Sequence, residues 1–149
     1  MTTNNGKHAE AVFESYWEGR GKSSFIYRFL DAGDLLQRIR AIVGAKFPLG
    51  KLAAIIPSQP SDYLVVDAEE GQFFAEVKSS KSPTSFPLSN IKPSQWSAAK
   101  RTAAAKGQYW FFIYSYAKDR WYRVPASIVL ETQEKSLKWD KLEKYLWKK

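Results

Sequence analysis

The run from Ser61 to Lys78, SDYLVVDAEEGQFFAEVK, constrains the fold more than any other part of this chain. Thirteen residues separate Asp62 from Glu76, and Glu76-Val77-Lys78 falls inside an apolar, strand-like segment. Charged side chains where a sheet would bury Val and Phe are costly unless they pair or bind a metal. Positions i and i+2 of a strand share a face, so Glu76 and Lys78 point one way while Ala75 and Val77 point into the opposite layer. Asp62 opens the preceding strand, and a hairpin closed by Asp67-Ala68-Glu69-Glu70-Gly71 returns it to the neighbourhood of Glu76. Two carboxylates gathered there suit Mg²⁺ or Mn²⁺, which favour oxygen ligands and keep several waters. Such an ion activates a bound water and balances charge on phosphorus under attack. Asp62 and Glu76 are then the candidate ligands, with the Val77 carbonyl as a further oxygen and Lys78 to orient the water or stabilise the phosphorane. On spacing alone the same pattern also describes a cross-strand ion pair on a solvated face. The apolar flanks Phe73, Phe74, Ala75 and Val77 argue for an interior position.

Composition narrows the chemistry. There is no cysteine, which excludes disulfides, zinc-thiolate sites and cysteine nucleophiles and fits a reducing compartment. A single histidine, His8, leaves Ser-His-Asp triads and His-rich metal sites without their residues; it reads as an exposed helical position. What remains for catalysis is carboxylate, Lys, Tyr and hydroxyl. The net charge of +8 and a pI near 9.6 point to a polyanion as partner. No apolar stretch is long enough to span a bilayer, and the polar start MTTNNGKHAE is unlike a signal peptide. The chain has 149 residues and 44% hydrophobic content, with no repeat or linker, so one domain over residues 1–149 is expected.

Periodicity predicts a helix over 7–19, with Ala9, Val12, Phe13, Tyr16 and Trp17 on one face. Glu10 lies at the margin of that face and reaches inward more easily than Glu14. Strands are predicted at 24–30, 63–66, 73–78, 108–116 and 121–125, and a helix at 93–106 with Gly107 at its end. In 31–60, LLQRIRAIV has helical character, and FPLGKLAAIIPSQP mixes loop residues with a short strand. The Ser- and Pro-rich 79–90 reads as a loop, and the tail 135–149 as a short helix with Leu137, Leu142 and Leu146 on one side. This order predicts an α/β layer arrangement, a central mixed β-sheet flanked by α-helices.

D-x13-ExK with an upstream helical Glu resembles the pattern of the PD-(D/E)xK nuclease superfamily. Within it the chain looks most like the RecU-type Holliday junction resolvases. PSQPSDY (57–63) resembles that family's Pro-Ser-x-x-Asp-Tyr segment, with Ser61 where Thr is frequent. AEVKSSKSPTSFPLSNI (75–91) resembles its E-x-K strand followed by Ser-Phe-Pro-Leu-x-Asn-Ile. Gln95 takes the place of a helical Gln, GQYWFFIYS (107–115) resembles the next core strand, and Gly6 and Glu10 give a looser match. The resemblance covers roughly residues 55 to 130. It implies a restriction-endonuclease-like core and a homodimer that nicks four-way DNA junctions in pairs, leaving 5′-phosphates with Mg²⁺ or Mn²⁺. It assigns catalysis to Asp62, Glu76 and Lys78, a helix-borne acid and metal contact to Glu10, and a place near the metal to Gln95. A bacterial cytoplasm is the implied location, and the small size would suit a phage-encoded version. Family members carry a projecting stalk, for which residues 31–60 must substitute.

Lys81, beside the candidate strand, is placed to meet substrate phosphates. Lys92, Lys100 and Arg101 on or near the Gln95 helix are further candidates, opposite an expected buried stripe of Trp96, Ala99 and Ala103; a solvated helix face explains them equally. Arg20 and Lys22 follow the first helix, and Arg38 and Arg40 contribute if 31–60 faces DNA. Phe111, Phe112 and Ile113 read as core. Phe86 either seals the core or wedges against DNA, and Trp139 and Trp147 are buried against the body or in a dimer interface. The competing functions are another PD-(D/E)xK enzyme acting on flaps, nicks or general DNA, and a non-catalytic DNA-binding protein.

Overall fold

A computed structural model of the chain describes residues 4–44, 46 and 48–148. The first helix, α1 (Asn4–Glu18), follows the expected apolar period: Ala9, Phe13 and Trp17 are fully buried, and Val12 and Tyr16 flank them. Strand β1 (Ser24–Arg28) comes next, then α2 (Ala32–Val43) and α3 (Leu49–Ala53). The hairpin of β2 (Tyr63–Asp67) and β3 (Gly71–Ser80) is followed by β4 (Ser85–Pro87) and α4 (Pro93–Ala104). The chain then forms β5 (Tyr109–Ser115), β6 (Arg120–Pro125), α5 (Ala126–Glu131), β7 (Ser136–Lys138), α6 (Trp139–Leu142) and β8 (Leu146–Lys148).

Six strands make one sheet in the order β1-β2-β3-β5-β6-β8. Neighbours are antiparallel except β3 and β5, which run parallel with Glu76 opposite Phe111. A parallel pair needs a crossover, and the segment holding β4 and α4 supplies it. The sheet therefore separates two apolar layers. On one face α1 packs on Tyr63, Val65, Phe73, Ala75, Val77 and Phe112. On the other, α4, α5 and the small β4–β7 ribbon enclose Phe86, Tyr109, Phe111, Ile113, Tyr122, Trp139 and Leu142. β5 is covered on both faces, as its continuous apolar run predicts.

The β2–β3 hairpin closes through Ala68-Glu69-Glu70, with Gly71 at φ +79°, a left-handed position that glycine fills without strain. Asp67 ties the turn by accepting from the backbone N–H of Glu69 and Glu70 at 2.9 and 3.1 Å.

Several segments differ from the sequence expectation. α3 replaces the short strand expected after residue 46, and no residue of α2 is buried. Asp31 caps the start of α2, its Oδ1 accepting from Gly33 N at 2.8 Å. The helix at 93–106 stops at Ala104; Lys106, not Gly107, adopts the positive φ of +59°, and Ala103 is exposed rather than part of a buried stripe. The tail does not place its three leucines on one helix. Leu137, Leu142 and Leu146 fall on β7, α6 and β8 respectively. Trp139 fixes this path by stacking on Tyr122 and donating from Nε1 to the Ser82 carbonyl at 2.9 Å. Trp147 packs among Phe13, Tyr16, Trp17, Phe112 and Trp121, so both tryptophans go to the body of this chain.

Phe86 lies in β4, not in a loop, with no exposed surface. Phe86→Ala should therefore cost about 3–5 kcal/mol of unfolding free energy, read by urea denaturation. An unchanged urea midpoint accompanied by weakened DNA binding would put the ring on the surface instead.

Candidate catalytic site

The hairpin register sets the site. Tyr63 stands opposite Ala75, so the chain just before β2 reaches the level of Glu76. Three contacts fix that approach: Tyr109 Oη donates to the Pro60 carbonyl at 2.7 Å, buried Ser61 Oγ donates to the Tyr63 carbonyl at 2.8 Å, and Phe29 N donates to the Asp62 carbonyl at 2.9 Å. Asp62 sits one residue ahead of the strand rather than at its first position. Its Oδ2 accepts from Val77 N at 2.8 Å, which aims the carboxyl across the hairpin at the Glu76 side chain.

Glu76 is only 1% exposed. Its Oε1 accepts from Lys78 Nζ at 3.1 Å and from Gln95 Nε2. Gln95 is itself oriented, because its Oε1 accepts from Lys92 N at 2.8 Å in the first turn of α4. The amide is thus turned so that its NH₂ faces Glu76. The second Glu76 oxygen, Oε2, is buried and meets no N–H or hydroxyl donor, and the Glu76 carboxyl lies close enough to that of Asp62 for the two to share a proton. Burial, and then the charge of neighbouring Asp62, push the Glu76 carboxyl up to about 8, against the pull of Lys78. Asp62 is also raised, by burial above all, with the Val77 N–H and Lys78 opposing.

An unpartnered buried acceptor beside a second carboxyl is unfavourable for either charge alone. A cation between them removes the conflict. The donor set is oxygen with an ammonium alongside, which fits a hard divalent ion retaining water. Asp62, Glu76 and the Val77 carbonyl are the groups available to hold it. Among the described residues, no group of three or more His, Asp or Glu side chains converges into a metal cluster.

A cavity of about 940 Å³ opens over this pair. Of the residues singled out in the sequence, Glu10, Asp62, Glu76, Val77, Lys78, Lys81, Lys92 and Gln95 line it. Burial raises the Glu10 carboxyl, and Arg28 counteracts that rise. Lys22, Lys100 and Arg101 are exposed but outside the cavity, as is Arg38 on α2. Arg20 has a different role from the expected phosphate contact. Its Nε and Nη2 meet Asp67 Oδ2 and Oδ1 at 2.7 and 3.2 Å, and Nη2 reaches Glu69 at 3.2 Å. That fork holds the hairpin turn to the end of α1 and draws the Asp67 carboxyl down to about 2. His8 is exposed on α1, as expected.

Sequence reasoning missed Lys7 and Arg28, which also line the cavity. Arg28 ends β1 and bonds Glu10 and Glu14 on α1. Its signal was a lone cation closing an aromatic strand, indistinguishable locally from a solvated strand end. SFPLSNI proves largely structural: Phe86, Leu88 and Ile91 are buried, while Asn90 faces the cavity.

No family model matches this sequence, and no curated protein does either. Among solved structures, the chain is similar to Archaeoglobus fulgidus Hjc, a Holliday junction resolvase from an archaeal hyperthermophile. The TM-score is 0.53 at 11% identity, over 97% of this chain and 91% of that one. At that identity the likeness is one of fold. The chain has the α/β, restriction-endonuclease-like architecture of a mixed six-stranded sheet flanked by helices.

Proposed function

We propose that the protein is a divalent-metal-dependent endodeoxyribonuclease of the RecU type, acting as a homodimer that resolves four-way DNA junctions. The observation that carries this reading is the buried Glu76 carboxyl, its Oε2 without a donor, beside Asp62 at the floor of a cavity whose walls also carry Lys7, Arg28, Lys81 and Lys92. When bound, Mg²⁺ or Mn²⁺ supplies Lewis acidity, which makes a water nucleophilic near neutral pH and offsets charge on the phosphorane. Asp62 and Glu76 would hold the ion, aided by the Val77 carbonyl and Glu10. Lys78, mostly buried at 15% exposure, presents its ammonium beside Glu76, where it would orient the attacking water and stabilise the phosphorane oxygens. Gln95 keeps Glu76 Oε1 in place and fixes its direction. Lys7, Lys81 and Lys92 line the walls and neutralise the phosphates on either side of the scissile bond.

Selectivity for junctions is supported by SFPLSNI following ExK and by the shared fold of the archaeal resolvase. A dyad suits that task, because two symmetry-related sites can cut two strands of like polarity. Product ends are expected to carry 5′-phosphates.

With Mg²⁺, a synthetic four-way junction should be nicked in preference to linear duplex of the same sequence. Equal cutting of both would leave a nuclease without junction selectivity. Glu76→Gln and Asp62→Asn should abolish cutting while junction binding in chelator persists; near-normal cutting by either variant would refute the site. Gln95→Ala should lose about 10- to 100-fold in rate, as groups that orient metal ligands typically do.

The raised Glu76 carboxyl has a consequence for stability. A folded-state pKa above the unfolded value means the native state binds the extra proton, so stability falls as pH rises between the two. In chelator the melting temperature should therefore drop from about pH 5 toward about pH 8. Mn²⁺ should restore it most at the alkaline end, and Glu76→Gln should flatten the dependence. A melting temperature that climbs over this window in the chelated wild type would contradict the buried-carboxyl account.

A further inference from the structure

A third carboxylate lines the cavity without joining the pair. Glu10 Oε2 accepts from Arg28 Nη2 at 2.7 Å, and Glu14 Oε1, one helical turn along, accepts from Arg28 Nη1 at 3.2 Å. Glu14 has a second anchor, since Tyr63 Oη donates to the same oxygen at 2.7 Å. Glu10 is also within electrostatic range of Asp62. Among the described residues the three acids form no cluster, and Glu10 is paired with a guanidinium instead.

Resting on the cation-site reading above, we infer that Arg28 is a positioning residue that keeps Glu10 in reserve. In the DNA-free protein its guanidinium takes the place a metal ion would take on Glu10. A DNA phosphate entering the cavity competes for the same fork, and Arg28 exchanges Glu10 for that phosphate. Glu10 then becomes available as a further oxygen ligand to the cation. The fork is suited to the exchange, because guanidinium binds phosphate and carboxylate alike in bidentate fashion. Its side chain is 52% exposed, so a phosphate reaches it without any backbone movement. The release is selective. Tyr63 still holds Glu14 when Arg28 leaves, whereas Glu10 has no second hydrogen-bonding anchor among the described residues. Ala9 and Phe13, buried on either side, keep α1 fixed, so only the Glu10 side chain need turn.

A mere clamp between α1 and β1 would behave differently: its loss would lower stability and leave cation affinity unchanged or weaker. The discriminating measurement is calorimetric titration of the DNA-free full chain with Mn²⁺, for wild type, R28Q and the double variant R28Q/E10Q. R28Q should bind Mn²⁺ severalfold more tightly than wild type, and the gain should vanish in R28Q/E10Q. In chelator, R28Q should bind a four-way junction more weakly, with a salt slope reduced by about one. Mn²⁺ binding by wild type that R28Q leaves equal or weakens would overturn the exchange while sparing the cation site. No Mn²⁺ binding by wild type or R28Q would remove both. Thermal melts in chelator report whether R28Q folds. If it does not, R28K replaces it: a point charge cannot grip two carboxylates as the fork does, so Mn²⁺ binding should tighten to a smaller degree, and no tightening would again overturn the exchange.

Discussion

A carboxylate buried to 1% exposure with one oxygen unsatisfied is the constraint around which this molecule is arranged. Left alone, Glu76 could ionise only at a heavy desolvation cost. Every neighbour acts on that difficulty. Lys78 and Gln95 both donate to Oε1, and Asp62 brings a second negative charge to the same place. The arrangement is satisfied by a proton, or by the cation proposed for it, and is poor with neither. It explains why the strand tolerates a glutamate between two apolar layers.

The fold supplies the four groups from separate parts of the chain, each held by backbone geometry. Hairpin register brings Asp62 level with Glu76, and strand pleat puts Lys78 on the same face. The parallel pairing of β3 with β5 demands a crossover, and that crossover delivers α4 with Gln95 near its start. Buried Phe86, Leu88 and Ile91 fix the path between strand and helix, which is how a motif with a single cavity-facing residue still matters to the site.

Much of this was readable because the relevant signals are local. The 3.6-residue period of α1, the alternation in β3 and the unbroken apolar run of β5 each report burial within one element, and D-x13-ExK fixes the hairpin. What escaped depends on distant partners. Arg20 looked like a cation awaiting phosphate because Asp67, its partner, lies 47 residues away. Arg28 is engaged by a helix that precedes it, which no spacing rule announces. The tail misled for a related reason. Its leucines have near-helical spacing, but β7, α6 and β8 are too short for intrinsic preference to decide, and Trp139 and Trp147 choose the path through Ser82, Tyr122 and Trp17.

α2 contributes nothing to either apolar layer, yet Ala32 and Asp34 at its start border the cavity. Mutations along most of its length therefore escape the filter that folding imposes on a core helix. What constrains this helix is its edge on the cavity rather than the packing of a core. Under the function proposed above, substitutions along this helix would retune the shape of DNA accepted while leaving the sheet and its acids untouched.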